Sequence, residues 1–166
     1  MPLPNCCRPL QIVHNICLLR ADSGDFHPGL QALADQGIGG IVTNVPFANY
    51  LTDESAWNSL RACLSACRDL GLRVWIYDEK GYPSGAAGGR VLANHPDLEA
   101  VALYSDAAKD CLYADRSYEG THNCRNFHAW RRTINLLEPE AVAEFIRVTH
   151  AQYAERLGPE FDLVEA

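Results

Sequence analysis

Between residues 38 and 77 two short apolar runs flank one amphipathic segment, and that order leaves few folds open. The first run, IGGIVT at 38–43, is short, β-branched and bounded by glycine and proline, which marks a buried strand rather than a helix fragment. A helix follows, opened by Thr52 or Asp53 as N-cap, with Trp57, Leu60, Cys63, Leu64, Cys67 and Leu70 at helical spacing. Gly71 is its stop signal. LRVWIY at 72–77 is nearly all apolar, as strands covered on both faces tend to be. Strand, loop, helix, glycine, strand is a βαβ unit, and βαβ units imply a parallel sheet. Trp57 and Trp75 sit within these apolar patterns and are expected in the core.

The flanking sequence extends the pattern. Residues 11–19 read as a first strand. Residues 28–36 read as a short helix with Leu30, Leu33 and Ala34 on one side and Gly37 as its end. Further on, 89–94 suits a helical turn broken by His95, Pro96 and Asp97. Residues 99–105 and 111–114 suit two short strands forming an inserted hairpin, and 116–130 suits a surface loop. A strand is expected at 132–136. Glu138, Pro139 and Glu140 then open a helix, with proline at its first position and acids near the positive end of the dipole. Val142, Phe145, Ile146, Thr149, Tyr153 and Leu157 give that helix one apolar stripe as far as Gly158 and Pro159, and 161–164 begins another strand. The organisation expected is a single α/β domain over 1–166 with a hairpin and loop inserted within 99–130.

Composition removes several classes of function. With 48% hydrophobic and 21% charged residues the chain is expected to bury a real core. A net charge of −7 without any Lys/Arg cluster offers no footprint for a phosphate backbone, so no nucleic-acid partner is expected. No run approaches the ~20 apolar residues of a membrane span, and MPLPNCCRPLQIVHN lacks the pattern of a signal peptide. A cytoplasmic protein is the expectation. Seven cysteines, an odd number with one adjacent pair and no CxxC, fit neither a disulfide framework nor a zinc knuckle. Cys63 and Cys67 read as small buried apolar residues. No HxH or HExxH is present. His122 and His128 with Cys124 form the nearest thing to a metal cluster, but no metal ligand is assigned. Ser84 has no GxSxG elbow, and the glycines at 85–89 fit neither a Walker nor a GxGxxG pattern.

Parallel α/β folds bind ligands at the carboxyl ends of their strands, where the βα loops gather. Three such loops carry polar or aromatic groups: Asn44 and Tyr50 in the first, Asp78, Glu79, Lys80 and Tyr82 in the second, Asn135 and Glu138 in the third. Glycoside hydrolysis needs two carboxyl groups roughly 5–5.5 Å apart for retention or 6.5–9.5 Å for inversion. Adjacent residues cannot readily supply both, so one of Asp78 and Glu79 at most is expected to do the chemistry. Tyr82 and Pro83 offer an apolar edge for a sugar ring.

Three stretches, GIGGIVTNVPFANYL, LGLRVWIYDEKGYPSGAAGG and INLLEPEAVAEFIRVTHAQYAERLG, resemble bacterial glycoside hydrolases of the α-L-rhamnosidase-like type. These are (β/α)8-barrel proteins usually met as longer, multidomain chains, and the resemblance runs from about residue 37 onward. It implies that Asp78 and Glu79 match the acidic pair ending a barrel strand, with Glu79 preferred for catalysis or hydroxyl binding. Tyr82, Pro83, Ser84 and Gly85 match the turn that follows, and Asn135 and Pro139 the motif opening a later helix. Asn44, Tyr50, Tyr82, Ser84 and Asn135 are the expected substrate contacts. Calcium at the sugar site is implied by the resemblance alone, and no cofactor is otherwise expected.

The match departs at FDLVEA, where the family carries a further acidic motif of the Asp-Glu-Pro form. A closed barrel takes ~250 residues, so only three or four βα units are expected here: a partial (β/α)8 (TIM) barrel, a fragment of a glycoside hydrolase inactive alone. The alternative is a non-catalytic carbohydrate-binding or self-associating half-barrel, forming a homo-oligomer through exposed sheet edges. A third reading is a metal- or redox-dependent module built on the cysteines and loop histidines.

Overall fold

The computed structural model describes residues 3–77, 80, 85, 87–116 and 132–166. The chain is mixed α/β, with a three-stranded parallel sheet and a separate antiparallel pair. It divides into two compact units, Met1–Asp78 with Tyr153–Ala166, and Glu79–Gln152.

The first unit begins with β1 (Leu10–Val13), α1 (His27–Asp35), β2 (Gly40–Thr43), α2 (Glu54–Asp69) and β3 (Arg73–Ile76). The strands lie side by side in chain order and all parallel, with Leu10, Gly40 and Arg73 level at one end and Val13, Thr43 and Ile76 level at the other. Val164 bridges Val74 in parallel, the Glu165 N–H reaches the Val74 carbonyl at 2.9 Å and the Ile76 N–H reaches Ala166 at 2.7 Å. The chain beyond Val164 thus adds a fourth parallel neighbour beside β3. Residues 161–164, expected as a strand, are mostly a 3-10 turn (Gly158–Leu163) led by a proline, and pairing begins only at Val164.

Both helices end alike. Gly37 and Gly71 take left-handed backbone angles, φ +89° and +64°. The residue after each glycine sends its N–H back to Leu33 (3.1 Å) or Cys67 (2.8 Å), while the glycine bonds Ala34 (2.9 Å) or Arg68 (3.0 Å). This Schellman arrangement satisfies the last carbonyls and turns the chain into the next strand. At its other end α2 is capped by Asp53, whose carboxylate accepts the Ser55 N–H at 2.9 Å.

The core lies on one face of the sheet. Ile41 and Val74 are fully buried with Phe26 and Leu30 from the α1 segment and Trp57, Leu60, Cys63, Leu64 and Cys67 from α2. Each such aliphatic side chain contributes about 1.5–3 kcal/mol by leaving water. The end of α5 (His150–Leu157) joins the same cluster: Tyr153 packs edge-on to Trp57 at 5.0 Å and its hydroxyl accepts the Val45 N–H at 3.0 Å. Residues 11–19, expected as one strand, pair only as far as Val13. Asn15 Oδ1 then accepts the Cys17 N–H at 3.1 Å, closing the 3-10 turn Ile16–Leu19 that drops Ile16 into the core.

In the second unit α3 (Arg90–Asn94) and α4 (Pro139–Val148) share a small core of Val91, Leu92, Leu98, Ile134, Ala141 and Val148. The hairpin expected within 99–114 is present as β4 (Val101–Asp106) and β5 (Cys111–Arg116), antiparallel, with Tyr104 and Tyr113 stacked at 5.6 Å across the strands. Its turn is made by Asp106, whose side chain accepts the N–H groups of Ala108 (3.0 Å) and Lys109 (3.2 Å). The strand expected at 132–136 shrinks to one bridge, Ile134 to Glu99, because Asn135 Oδ1 takes the Leu137 N–H at 3.2 Å and folds the chain into a turn. The single helix expected after Glu138 is two, α4 and α5. Thr149 leaves helical geometry (φ −119°, ψ −82°) while its hydroxyl donates to the Phe145 carbonyl at 2.6 Å.

Two outcomes follow for stability. Tyr153→Phe leaves the buried Val45 N–H without its acceptor and lowers unfolding free energy in urea by about 1–3 kcal/mol. Gly40→Ala costs more, because the new methyl falls 2.2 Å from the Arg73 carbonyl oxygen in the neighbouring strand.

His27 supplies a pH signature. Its ring holds Asp25 at 2.8 Å and Asp69 at 3.3 Å, one carboxylate on each nitrogen, an arrangement that favours the doubly protonated ring. The bond to Asp25, reinforced by Asp69, raises the imidazole above its ordinary value. A raised pKa gives stability fully present below the unfolded value, ~6.5, and lost as pH rises through the folded value. The stability difference between the wild type and His27→Gln therefore narrows as pH is raised from 6 through neutrality, in urea melts at constant salt; a difference that widens would show that the ring folds uncharged.

Candidate functional site at the carboxyl ends of the strands

Because Val13, Thr43 and Ile76 are level, the next residue of each strand is level too: His14, Asn44 and Tyr77 stand in a row at the carboxyl edge. Thr43 Oγ1 donates to the Val13 carbonyl at 2.8 Å and the Tyr77 N–H donates to the Thr43 carbonyl at 2.7 Å, so the row is tied across both strand junctions.

Asn44 is fully buried, and its bonds determine what His14 offers. The amide Nδ2 donates to the Val45 carbonyl at 2.7 Å, which turns Oδ1 toward His14 Nδ1 at 3.3 Å. An amide oxygen only accepts, so Nδ1 carries the proton of this bond, and in the neutral ring Nε2 then keeps the lone pair. The Tyr77 ring, 42% exposed, lies 5.6 Å from the imidazole and tilted by 56°. The edge thus presents an imidazole held by Asn44 beside an aromatic surface, and Asp78 and Glu79 follow Tyr77 directly in the sequence.

The other residues named from sequence fall as follows. Tyr50 is 4% exposed and packs in the core edge-on to Phe47 at 5.8 Å. Asn135 belongs to the second unit, where its side chain closes a turn. Asp78, Glu79, Tyr82 and Ser84 lie outside the described residues, as do His122, Cys124, His128 and the loop of 117–131. His14 and Tyr77 carry no local motif. Only the pairing of strands thirty residues apart brings them beside Asn44, so the signal was the register rather than any spacing.

Trp75 is also placed differently from expectation. It faces away from the covered side, in a row with Ile12 and Val42, because strand residues alternate and Val74 takes the core position. Its Nε1 donates to Glu165 at 3.3 Å, and Arg73 Nε reaches the same carboxylate at 2.7 Å. The guanidinium holds Glu165 below the usual carboxylate range.

Among the described residues no group of three or more His, Cys, Asp or Glu could hold a metal ion. The fit of a calcium ion at this edge turns on Asp78 and Glu79, outside those residues, and no chemistry is routed through one. No helix among the described residues is long and apolar enough to cross a membrane. No family model matches the chain, and neither a curated protein nor a solved structure matches it.

Removing the Asn44 side chain releases the tautomer. In Asn44→Ala, 15N shifts of His14 move toward an imidazole protonated on Nε2, the form favoured without a partner on Nδ1. Unchanged shifts would mean that Asn44 does not orient the ring.

Proposed function

We propose that this chain forms part of a carbohydrate-acting α/β barrel of the glycoside hydrolase class, with its sugar site at the carboxyl edge of the parallel strands. The observation that carries the reading is the row His14, Asn44, Tyr77 at one level, leading directly into Asp78 and Glu79. Supporting it, the strands keep chain order from β1 through Val164, the winding of a barrel; a doubly wound sheet reverses its order at a switch point. In this reading Glu79 bears the reacting or hydroxyl-binding carboxylate, and Tyr77 offers an aromatic face to the sugar ring. Asn44 holds His14 so that Nε2 accepts a sugar hydroxyl.

The test is titration of the full chain with a panel of monosaccharides, L-rhamnose included, read by calorimetry and by the NMR signals of His14 and Tyr77. Binding of at least one sugar is expected, weakened about tenfold or more, ~1.4 kcal/mol, by either Glu79→Gln or Asn44→Ala. Aryl-glycoside hydrolysis by the chain alone is expected to be negligible. Absence of binding across the panel, or binding indifferent to both substitutions, defeats the proposal.

One observation favours a second reading, a half-barrel that pairs with a second copy of itself. Ile12 is 58% and Trp75 38% exposed, side by side with Val42 on the uncovered face of the sheet. Sedimentation equilibrium separates the two: a dimer broken by Trp75→Ser supports association through this face, and a monomer at all concentrations excludes it.

A further inference from the structure

Cys6 and Cys7 form the 3-10 turn Asn5–Cys7, and both are exposed. Their sulfurs are 3.8 Å apart. The turn is fastened to the amino edge of the sheet, the end away from His14. Asn5 Nδ2 donates to the Gly71 carbonyl at 2.6 Å, and Arg73 Nη1 to the Cys6 carbonyl at 3.3 Å. Arg8 Nε donates to the Leu3 carbonyl at 2.8 Å, and the Cys7 N–H to Pro4 at 2.9 Å. A methyl at Gly39 would lie 2.3 Å from the Asn5 carbonyl oxygen, so the turn sits directly on the entrance to β2. Two thiols are therefore presented together from anchored backbone rather than from a loose terminus.

We propose that Cys6 and Cys7 are a two-thiol chelation site for a soft divalent metal ion. Two thiolates bound tetrahedrally at ~2.3 Å stand about 3.8 Å apart, the spacing the two sulfurs already have. The pair needs little rearrangement to bite. Among the described residues no third His, Cys, Asp or Glu joins the pair, and solvent can complete the coordination. Structural zinc is held by four protein ligands, so a pair of thiolates is an open site for a thiophilic ion, for which cadmium serves as the probe.

The proton balance is explicit. A cysteine thiol ordinarily keeps its proton at neutral pH. Binding forms two metal–sulfur bonds, breaks two S–H bonds and releases both protons, with no change of oxidation state. The two thiolate charges balance the double charge of the ion. The other cysteines are differently disposed: Cys63 and Cys67 are buried, and Cys17 and Cys111 are exposed free thiols.

The experiment is a cadmium titration of the reduced, metal-free full chain in a Cys17→Ser, Cys111→Ser, Cys124→Ser background. It is followed by the ultraviolet thiolate-to-cadmium charge-transfer band and by proton release. One cadmium per chain, with about two protons released, is expected. Cys6→Ser or Cys7→Ser alone should abolish saturation at one equivalent while leaving the far-ultraviolet circular dichroism unchanged. A band that survives either substitution, or no saturable band in the background protein, overturns the proposal. Because the site lies at the opposite edge from His14, its fate is independent of sugar binding.

Discussion

Two parallel strands cannot hydrogen-bond side by side until the segment joining them has crossed the sheet, and between β2 and β3 that crossing is α2. Its buried stripe of Trp57, Leu60, Cys63, Leu64 and Cys67 lies in one cluster with Ile41 and Val74. The helix is cut to length by Asp53 at one end and Gly71 at the other, so the strand that leaves it starts in a set register. A shift of one residue would exchange Val74 for Trp75 in the core and move Tyr77 off the level of Asn44. The packing of one helix thus determines which side chains meet at the carboxyl edge.

The same residue type has opposite character at two places in this unit. Cys67 hydrogen-bonds Cys63 inside the core, and that bond together with burial pushes its thiol far up, so it stays neutral and acts as packing. Cys6 and Cys7 share a similar sulfur contact but face water beside Arg73. Solvent access separates a pair that only packs from one that a ligand could reach. Charge is arranged with equal economy around Glu165, which ties Arg73 and Trp75 together on the uncovered face of the sheet.

Elements set by local chemistry were legible in the sequence. The two glycines ending α1 and α2, the Asp53 cap, the apolar runs of β2 and β3 and the hairpin turn all follow from residues within a few positions of one another. Asn44 was legible as a strand-end residue because the end of IGGIVT is visible. What escaped were places where a side chain competes with the backbone pattern. Asn15 ends the first strand early, Asn135 replaces a strand with a turn, and Thr149 breaks a helix whose apolar stripe runs on through it. His14 and Tyr77 escaped for another reason, since their neighbourhood exists only after strands distant in sequence have paired.

The second unit lies wholly within the connection between β3 and Val164. Closing a connection costs free energy that grows only with the logarithm of its length, about 0.6 kcal/mol for each doubling. The sheet is therefore almost indifferent to how much chain is interposed after β3, provided that Tyr153 and Leu157 return to their places beside Trp57. What is slow is the return itself, because a distant segment must find a surface that nearby segments have already assembled. The segment after β3 can be enlarged, shortened or exchanged with little effect on whether the first unit stands, and with a large effect on how quickly Val164 arrives beside β3.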